Sequence, residues 1–281
     1  MNTLDSIEAL NKIGRSDESR RVIINTITMA MVSDCLHHIY EALICFEKRK
    51  FVVGFNLLRK PLLDSLPYLS WVLCREDEFY NTFMSSKPEE LTQSKLGNYR
   101  SDIFSECIEL LGLNDYICAD ELIKILFKKS DKEGLYMYLQ HAVHLVTVQN
   151  IELKTQPQNF NFIFKSPLSD DVYENLYDYL PYVMLYLSQV MLNLYNRMQK
   201  MDSGAWDAFQ IRSTIGYLIA SHGLSAESSG QFSKALSKVS CKHCDAPLKL
   251  TDYNFGKIIL ADSFRCSACK INNPFPFSWL F

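Results

Sequence analysis

The chain has 281 residues, 48% of them apolar, with only 10 glycines and 9 prolines. That length allows one large domain or two, and so little Gly and Pro favours helices over a turn-rich β architecture. A formal net charge of −3 excludes a generally basic nucleic-acid coat, and no run of about 18 uncharged apolar residues exists to span a membrane.

The elements follow in order. Residues 2–13 predict a short helix. A longer one begins at Ser16, with Asp17 and Glu18 at the end where the helix dipole favours acids. Ile23, Ile27, Ala30, Met31, Cys35, Leu36, Ile39 and Leu43 recur at helical spacing until the polar run 47–50 ends it. Residues 51–78 predict a second apolar helix, with Phe55, Leu58, Leu62, Leu66, Leu69 and Leu73 in one stripe. Pro61 and Pro67 should bend or divide it. Residues 51–74 are the closest approach to a membrane span, but Arg59, Lys60 and Asp64 interrupt them.

Residues 85–97 read as a polar connection with a short helix, and 99–111 and 120–129 as two more helices. Residues 132–149 predict a helix carrying His141 and His144, and 150–167 a loop. A long helix begins near Asp170 and contains Pro181, which should kink it. Residues 206–219 predict a last helix. The small, polar stretch 221–230 makes the best linker. The expected organisation is a mainly α, multi-helix domain over 1–222, a linker over 223–236 and a small module over 237–281.

That module carries the sharpest chemistry. Cys241-Lys-His-Cys244 and Cys266-Ser-Ala-Cys269 are two Cys-x-x-Cys pairs at the distance of a four-thiolate zinc site, as in a zinc ribbon. Each pair can form a tight turn aiming two sulfurs at one cation, and Zn²⁺ takes four ligands in a tetrahedron. A closed site of this kind is structural and would staple a module too small to hold its own core. His243 reads as an exposed turn residue. The expected link between the pairs is a β-hairpin, with Leu248 and Leu250 in one strand, 258–260 in the next and a turn over 252–256. Residues 231–281 carry +4 against −7 for the rest. Four thiolates and Zn²⁺ would lower the module's charge to about +2. Lys242, Lys249, Lys257, Arg265 and Lys270 could then contact RNA or DNA, or simply offset the site's own charge.

Cys35, Cys45, Cys74, Cys107 and Cys118 read as small buried hydrophobes. An odd number of remaining thiols without a signal peptide points to a reducing cytoplasm. The C-terminal Phe275, Phe277, Trp279 and Phe281 should fold back on the protein or bind a protein partner.

The helical domain holds no P-loop, dinucleotide fingerprint, nucleophile elbow or zinc-protease motif. Its polar leads are Arg59 and Asp64, with Lys60 and Asp64 as the expected i,i+4 pair, and His141 and His144 on one helix face. The segment HHIYEALICFEKRKFVVGFNLLRKPLLDSLPYLSW (residues 37–71), with Arg59 five residues before Asp64, resembles a bacterial helical family, and YLQHAVH (138–144) is similar to its later Tyr-and-His segment. That family resembles HEPN domains, helical bundles of toxin and phage-defence systems. The resemblance implies a HEPN-like bundle over residues 16–200. Active HEPN ribonucleases carry Arg, four to six residues and then His on one helix; no Arg here precedes a His by that spacing. RNA cleavage would therefore require Arg59 and His144 to meet through the fold, with Asp64 and His141 beside them.

Three functions stay open: a zinc-containing binding or regulatory protein, a divergent HEPN-like ribonuclease, and a structural subunit of a larger or oligomeric assembly.

Overall fold

The structure is a computed structural model. It describes residues 12–85, 87–129, 134–146, 170–222 and 238–275, together with residues 7, 10, 153–155, 157, 160, 234 and 236. The expected loop at 150–167 and linker at 223–236 lie almost wholly outside these residues, as do Phe277, Trp279 and Phe281. The chain is mainly α and divides into two compact units, Met1–Gln199 and Lys200–Phe281.

The first unit is built on a helical hairpin. Helix α1 (Ser16–Glu47) packs along α2 (Phe51–Arg59), and the chain reverses at Arg49, whose φ is 58°. The crossing is close because Gly54 has no side chain: a Cβ there would stand 2.8 Å from the Phe46 ring. Helix α2 does not break at the two prolines. It runs through a π-turn, Lys60–Ser65, into α3 (Leu66–Cys74). Pro61 and Pro67 bring no N–H to the i→i−4 ladder, and the amide of Leu66 reaches back five residues to the Pro61 carbonyl. The expected stripe is intact across this join: Phe55, Leu58, Leu62, Leu66, Leu69 and Leu73 are all buried. The helix stops at Cys74 rather than continuing to residue 78, because Arg75 leaves the helical region (φ −134°, ψ 55°).

Helix α4 (Glu76–Met84) follows. A 3₁₀ turn (Pro88–Leu91) and the single helical turn α5 (Gln93–Leu96) lead to α6 (Arg100–Leu110), which lies along α3. Helices α7 (Ala119–Phe127) and α8 (Tyr136–His141) come next, and the 28-residue α9 (Asp171–Met198) packs on α3 and α1. Helix α8 ends at His141, well short of the expected 149, so His144 lies beyond its end. Tyr186 of α9 is wholly buried and shares a 2.8 Å hydrogen bond with Ser70 of α3. Arg197 donates to the carbonyls of Val72 (3.1 Å) and Leu73 (2.5 Å), closing the end of α3.

Glu76 joins three elements. Its carboxylate accepts from Arg21 at 3.0 Å and Arg197 at 3.1 Å, and Arg20 stands 3.3 Å away. Burial opposes its charge, but the Arg21 and Arg197 guanidiniums outweigh that and hold it below its ordinary range. Of the five thiols outside the module, Cys35 and Cys107 are buried and Cys45 and Cys74 half-buried. Cys118 departs from expectation and is exposed, at the start of α7.

The second unit begins with α10 (Ser203–His222), which packs against α11 (Asp252–Ala261); two short antiparallel strands follow, β1 (Ser263–Arg265) and β2 (Asn272–Pro274). Its core is Phe255, Ile258, Ile259 and Phe264, with Ile215, Ile219, Val239, Leu248 and Phe275 packed around it. The helix 203–222, expected to close the larger domain, thus falls within the compact unit that holds the four cysteines. Phe275 faces inward, and its amide donates to the Asp262 carbonyl at 2.6 Å.

Two outcomes are expected. Gly54→Val, which forces the Phe46 ring aside, should destabilise the first unit by about 1–3 kcal/mol in denaturant titration. Glu76 has a depressed pKa, so its contribution is present above its unfolded value of about 4.3 and is lost as pH falls through the folded one. Glu76→Gln should therefore lower the melting temperature at pH 7 and flatten its decline towards about pH 3.

Candidate metal centre

The two thiol turns match bond for bond. In the first, Cys241 N–H donates to Ala246 O (2.9 Å), Asp245 N–H to Cys241 O (2.9 Å) and His243 N–H to Cys241 Sγ (3.4 Å). In the second, Cys266 N–H donates to Ile271 O (2.9 Å), Lys270 N–H to Cys266 O (3.1 Å) and Ala268 N–H to Cys266 Sγ (3.4 Å). Each turn springs from a small antiparallel pairing, the Ser240–Pro247 bridge in one case and β1–β2 in the other. The residue after each second cysteine is left-handed, Asp245 at φ 55° and Lys270 at φ 63°. Glycine is the ordinary occupant of such a position, and its absence leaves both turns mildly strained.

The turns face each other across one point. The Cys241 and Cys269 sulfurs are 3.6 Å apart, as are those of Cys244 and Cys266, and all four lie within 4.8 Å of one another. A disulfide would need about 2.05 Å. A tetrahedron with metal–sulfur bonds of about 2.3 Å has edges of roughly 3.8 Å, so the arrangement suits one tetrahedral ion. The electrostatics agree. Burial opposes the Cys241 thiolate, but the amides of His243 and Cys244 and the Asn273 side chain bring its pKa down to about 6. The Cys269 thiol accepts an amide hydrogen bond from Ile271, yet burial and the three neighbouring sulfurs push it up to about 12. Without a cation, the fourth sulfur keeps its proton. These cysteines could hold a metal, and the set leaves no protein ligand position open for catalysis. His243 is exposed, and its contribution is the backbone N–H.

The expected β-hairpin between the pairs is corrected to a helix. Thr251 caps α11 by accepting from the Asn254 amide at 3.2 Å, and Phe255, Ile258 and Ile259 fall at helical spacing on its buried side. Asp252, Asn254 and Gly256 are turn residues by type but stand in the first turns of this helix. Residues 258–260 are therefore helical, and the strands lie beside the second thiol turn instead.

Two buried asparagines, absent from the sequence reading, tie the halves together. Asn273 accepts from the Lys242 amide (2.9 Å) and donates to Cys241 Sγ (3.4 Å) and Ile271 O (3.1 Å), joining β2 to the first turn. Asn254 accepts from the Arg265 amide (3.0 Å) and donates to the carbonyls of Lys249 and Arg265, both at 3.1 Å, joining α11 to β1. Nothing in a lone Asn marks such a role. Arg212 of α10 pairs with Asp262, which ends α11 in a left-handed conformation.

The five basic candidates do not all share one surface. Arg265 and Lys270 line a shallow groove with Thr251, Tyr253, Asn254, Cys266 and Ser267. Lys257 stands 5.7 Å from the Tyr253 ring centre. Lys242 and Lys249 are exposed but lie outside this lining.

In the helical unit the four candidate catalytic residues form two pairs. Arg59 is exposed at the end of α2. Asp64 is half-buried in the π-turn, where burial raises its pKa against the opposing charges of Arg59, Lys60 and Arg100. Lys60 pairs with Asp34 at 2.8 Å rather than with Asp64, because the π-turn shifts the register. The His141 and His144 rings stand 6.2 Å apart, and burial and His144 together lower the His141 pKa. Neither histidine contributes to the electrostatic environment of Asp64, and neither Arg59 nor Asp64 to that of His141.

Fold and site define a mainly helical protein with a C-terminal four-cysteine cluster. No protein family, curated protein or solved structure matches the chain, so the likeness to HEPN domains rests on residue patterns alone.

Asn273→Ala, which removes a hydrogen bond to a ligand sulfur, should weaken metal binding about 10- to 100-fold in a chelator competition. Lys270→Gly relieves the left-handed strain and should leave affinity unchanged or raised.

Proposed function

We propose that this protein is a zinc-stapled helical binding protein whose C-terminal unit engages single-stranded nucleic acid. Zinc is the ion that a closed set of four thiolates favours, and its role is to hold the two turns together. The observation that carries the nucleic-acid reading is the groove beside the second thiol turn. Tyr253 stands 59% exposed at its edge, with Arg265 and Lys270 along it and Lys257 beside the ring. An open aromatic face flanked by cations is what base stacking and phosphate contact require. The charge of +4 over residues 231–281, in a chain of −3, supports the same reading.

Fluorescence anisotropy with labelled single-stranded RNA and DNA tests it. Binding should weaken with salt, with a log–log slope of about −2 for three phosphate contacts. Tyr253→Ala should cost about 1–3 kcal/mol, and Arg265→Ala should flatten the slope. Zinc-loaded protein that binds neither strand at low salt would refute the nucleic-acid reading and leave a protein partner as the target.

A ribonuclease of the helical unit is the second reading, supported by the adjacent His141 and His144. RNA cleavage abolished by His144→Ala would favour it, and RNA left intact by wild-type protein would remove it.

A further inference from the structure

The outward face of α1 (Ser16–Glu47) is unusual for a helix in water. One side is in the core, through Ile24, Cys35, Ile39, Ala42 and Phe46. The opposite side exposes Val22 (37%), Met29 (48%), Leu36 (51%), Tyr40 (62%) and Leu43 (45%). Between Val22 and Tyr40 the exposed residues are otherwise Thr26, Ala30, Ser33 and His37, with no Lys, Arg, Asp or Glu among them. A solvated helix face normally carries charge.

The spacing is that of a coiled-coil seam. Val22, Met29, Leu36 and Leu43 recur every seven residues, and Thr26, Ser33 and Tyr40 fall between them, giving alternating steps of four and three. The seam is also nearly palindromic about Ser33. Turned end for end, Val22 meets Leu43, Met29 meets Leu36, small Thr26 meets large Tyr40, and Ser33 meets itself. A two-fold interface needs this self-complementarity, in which residue i meets j and j meets i. The Thr26 hydroxyl already donates to the Val22 carbonyl at 2.7 Å, so covering it orphans no donor.

The area fits a dimer. Five large side chains left about half open amount to roughly 450 Å² of apolar surface, high for one patch on a monomer. With the small residues between them, the strip approaches the ~800 Å² that each partner of a standard interface buries. By length and composition α1 is also the helix that could cross a membrane. However, its other face is committed to the protein core, and its centre carries two hydroxyls where a lipid-facing surface would be apolar.

We propose that α1 is the interface of an antiparallel homodimer, with the two copies crossing at Ser33. Equilibrium sedimentation of the full chain tests this. Wild type should show twice the 32.5 kDa chain mass at micromolar concentration. Leu36→Glu should raise the dimer dissociation constant at least tenfold without changing helix content or melting temperature, since Leu36 is exposed. In a second measurement, equimolar Met29→Cys and Leu36→Cys chains mixed under mild oxidation should give a reducible cross-linked pair, in higher yield than either variant alone or wild type. A wild-type monomer throughout would overturn the proposal, as would a dimer indifferent to Leu36→Glu, equal cross-linking in every sample, or a monomer that sediments with phospholipid vesicles.

Discussion

Four sulfurs within 4.8 Å of one another are the constraint on which the C-terminal unit depends. Four thiolates cannot share that space unaided, and the push of three sulfurs on Cys269 expresses the conflict. A divalent cation resolves it by replacing protons with one shared charge. The apolar core here is four residues with a partly buried fringe, too small to fix two turns by burial alone. The polar contacts then follow the sulfurs. Asn273 locks the first turn to the strand leaving the second, and Asn254 locks the intervening helix to the strand entering it. Both amides are buried with donors and acceptor in use, which is the condition for a polar group to stabilise an interior.

The helical unit rests on a different balance. Its centre is the leucine-rich path from Phe51 to Leu73, closed on both sides by α1, α6 and α9. The π-turn keeps that path continuous through two prolines. It also leaves Asp64 half-buried among three cations, none of them close enough for an ion pair. Glu76 links α1, α4 and α9 with charge where the apolar path ends.

Much of this was legible in the sequence, and the exceptions have physical causes. The thiol pairs could be read because metal geometry dictates ligand type and spacing together. The stripe from Phe55 to Leu73 could be read because helical period survives a single π-turn. The helix at 252–261 was misread because Asp, Asn and Gly suit either a turn or a helix start, and the apolar spacing of Phe255, Ile258 and Ile259 decides between them. Helix α1 was foreseen, but its apolar residues read as one set. The fold divides them, burying Cys35 and Ile39 and exposing Leu36 and Leu43. Only neighbours packed on one side make that division. The asparagine ties could not be read, since their meaning depends on which backbone groups the fold leaves unpaired.

The account stands or falls on the ion. Elemental analysis of the purified full chain, paired with thiol labelling before and after a strong chelator, is the most direct test. One zinc per chain is expected, with Cys241, Cys244, Cys266 and Cys269 resisting label until chelation releases them together. Metal-free protein whose four thiols label at once, or whose cysteines are found in disulfides, would contradict it.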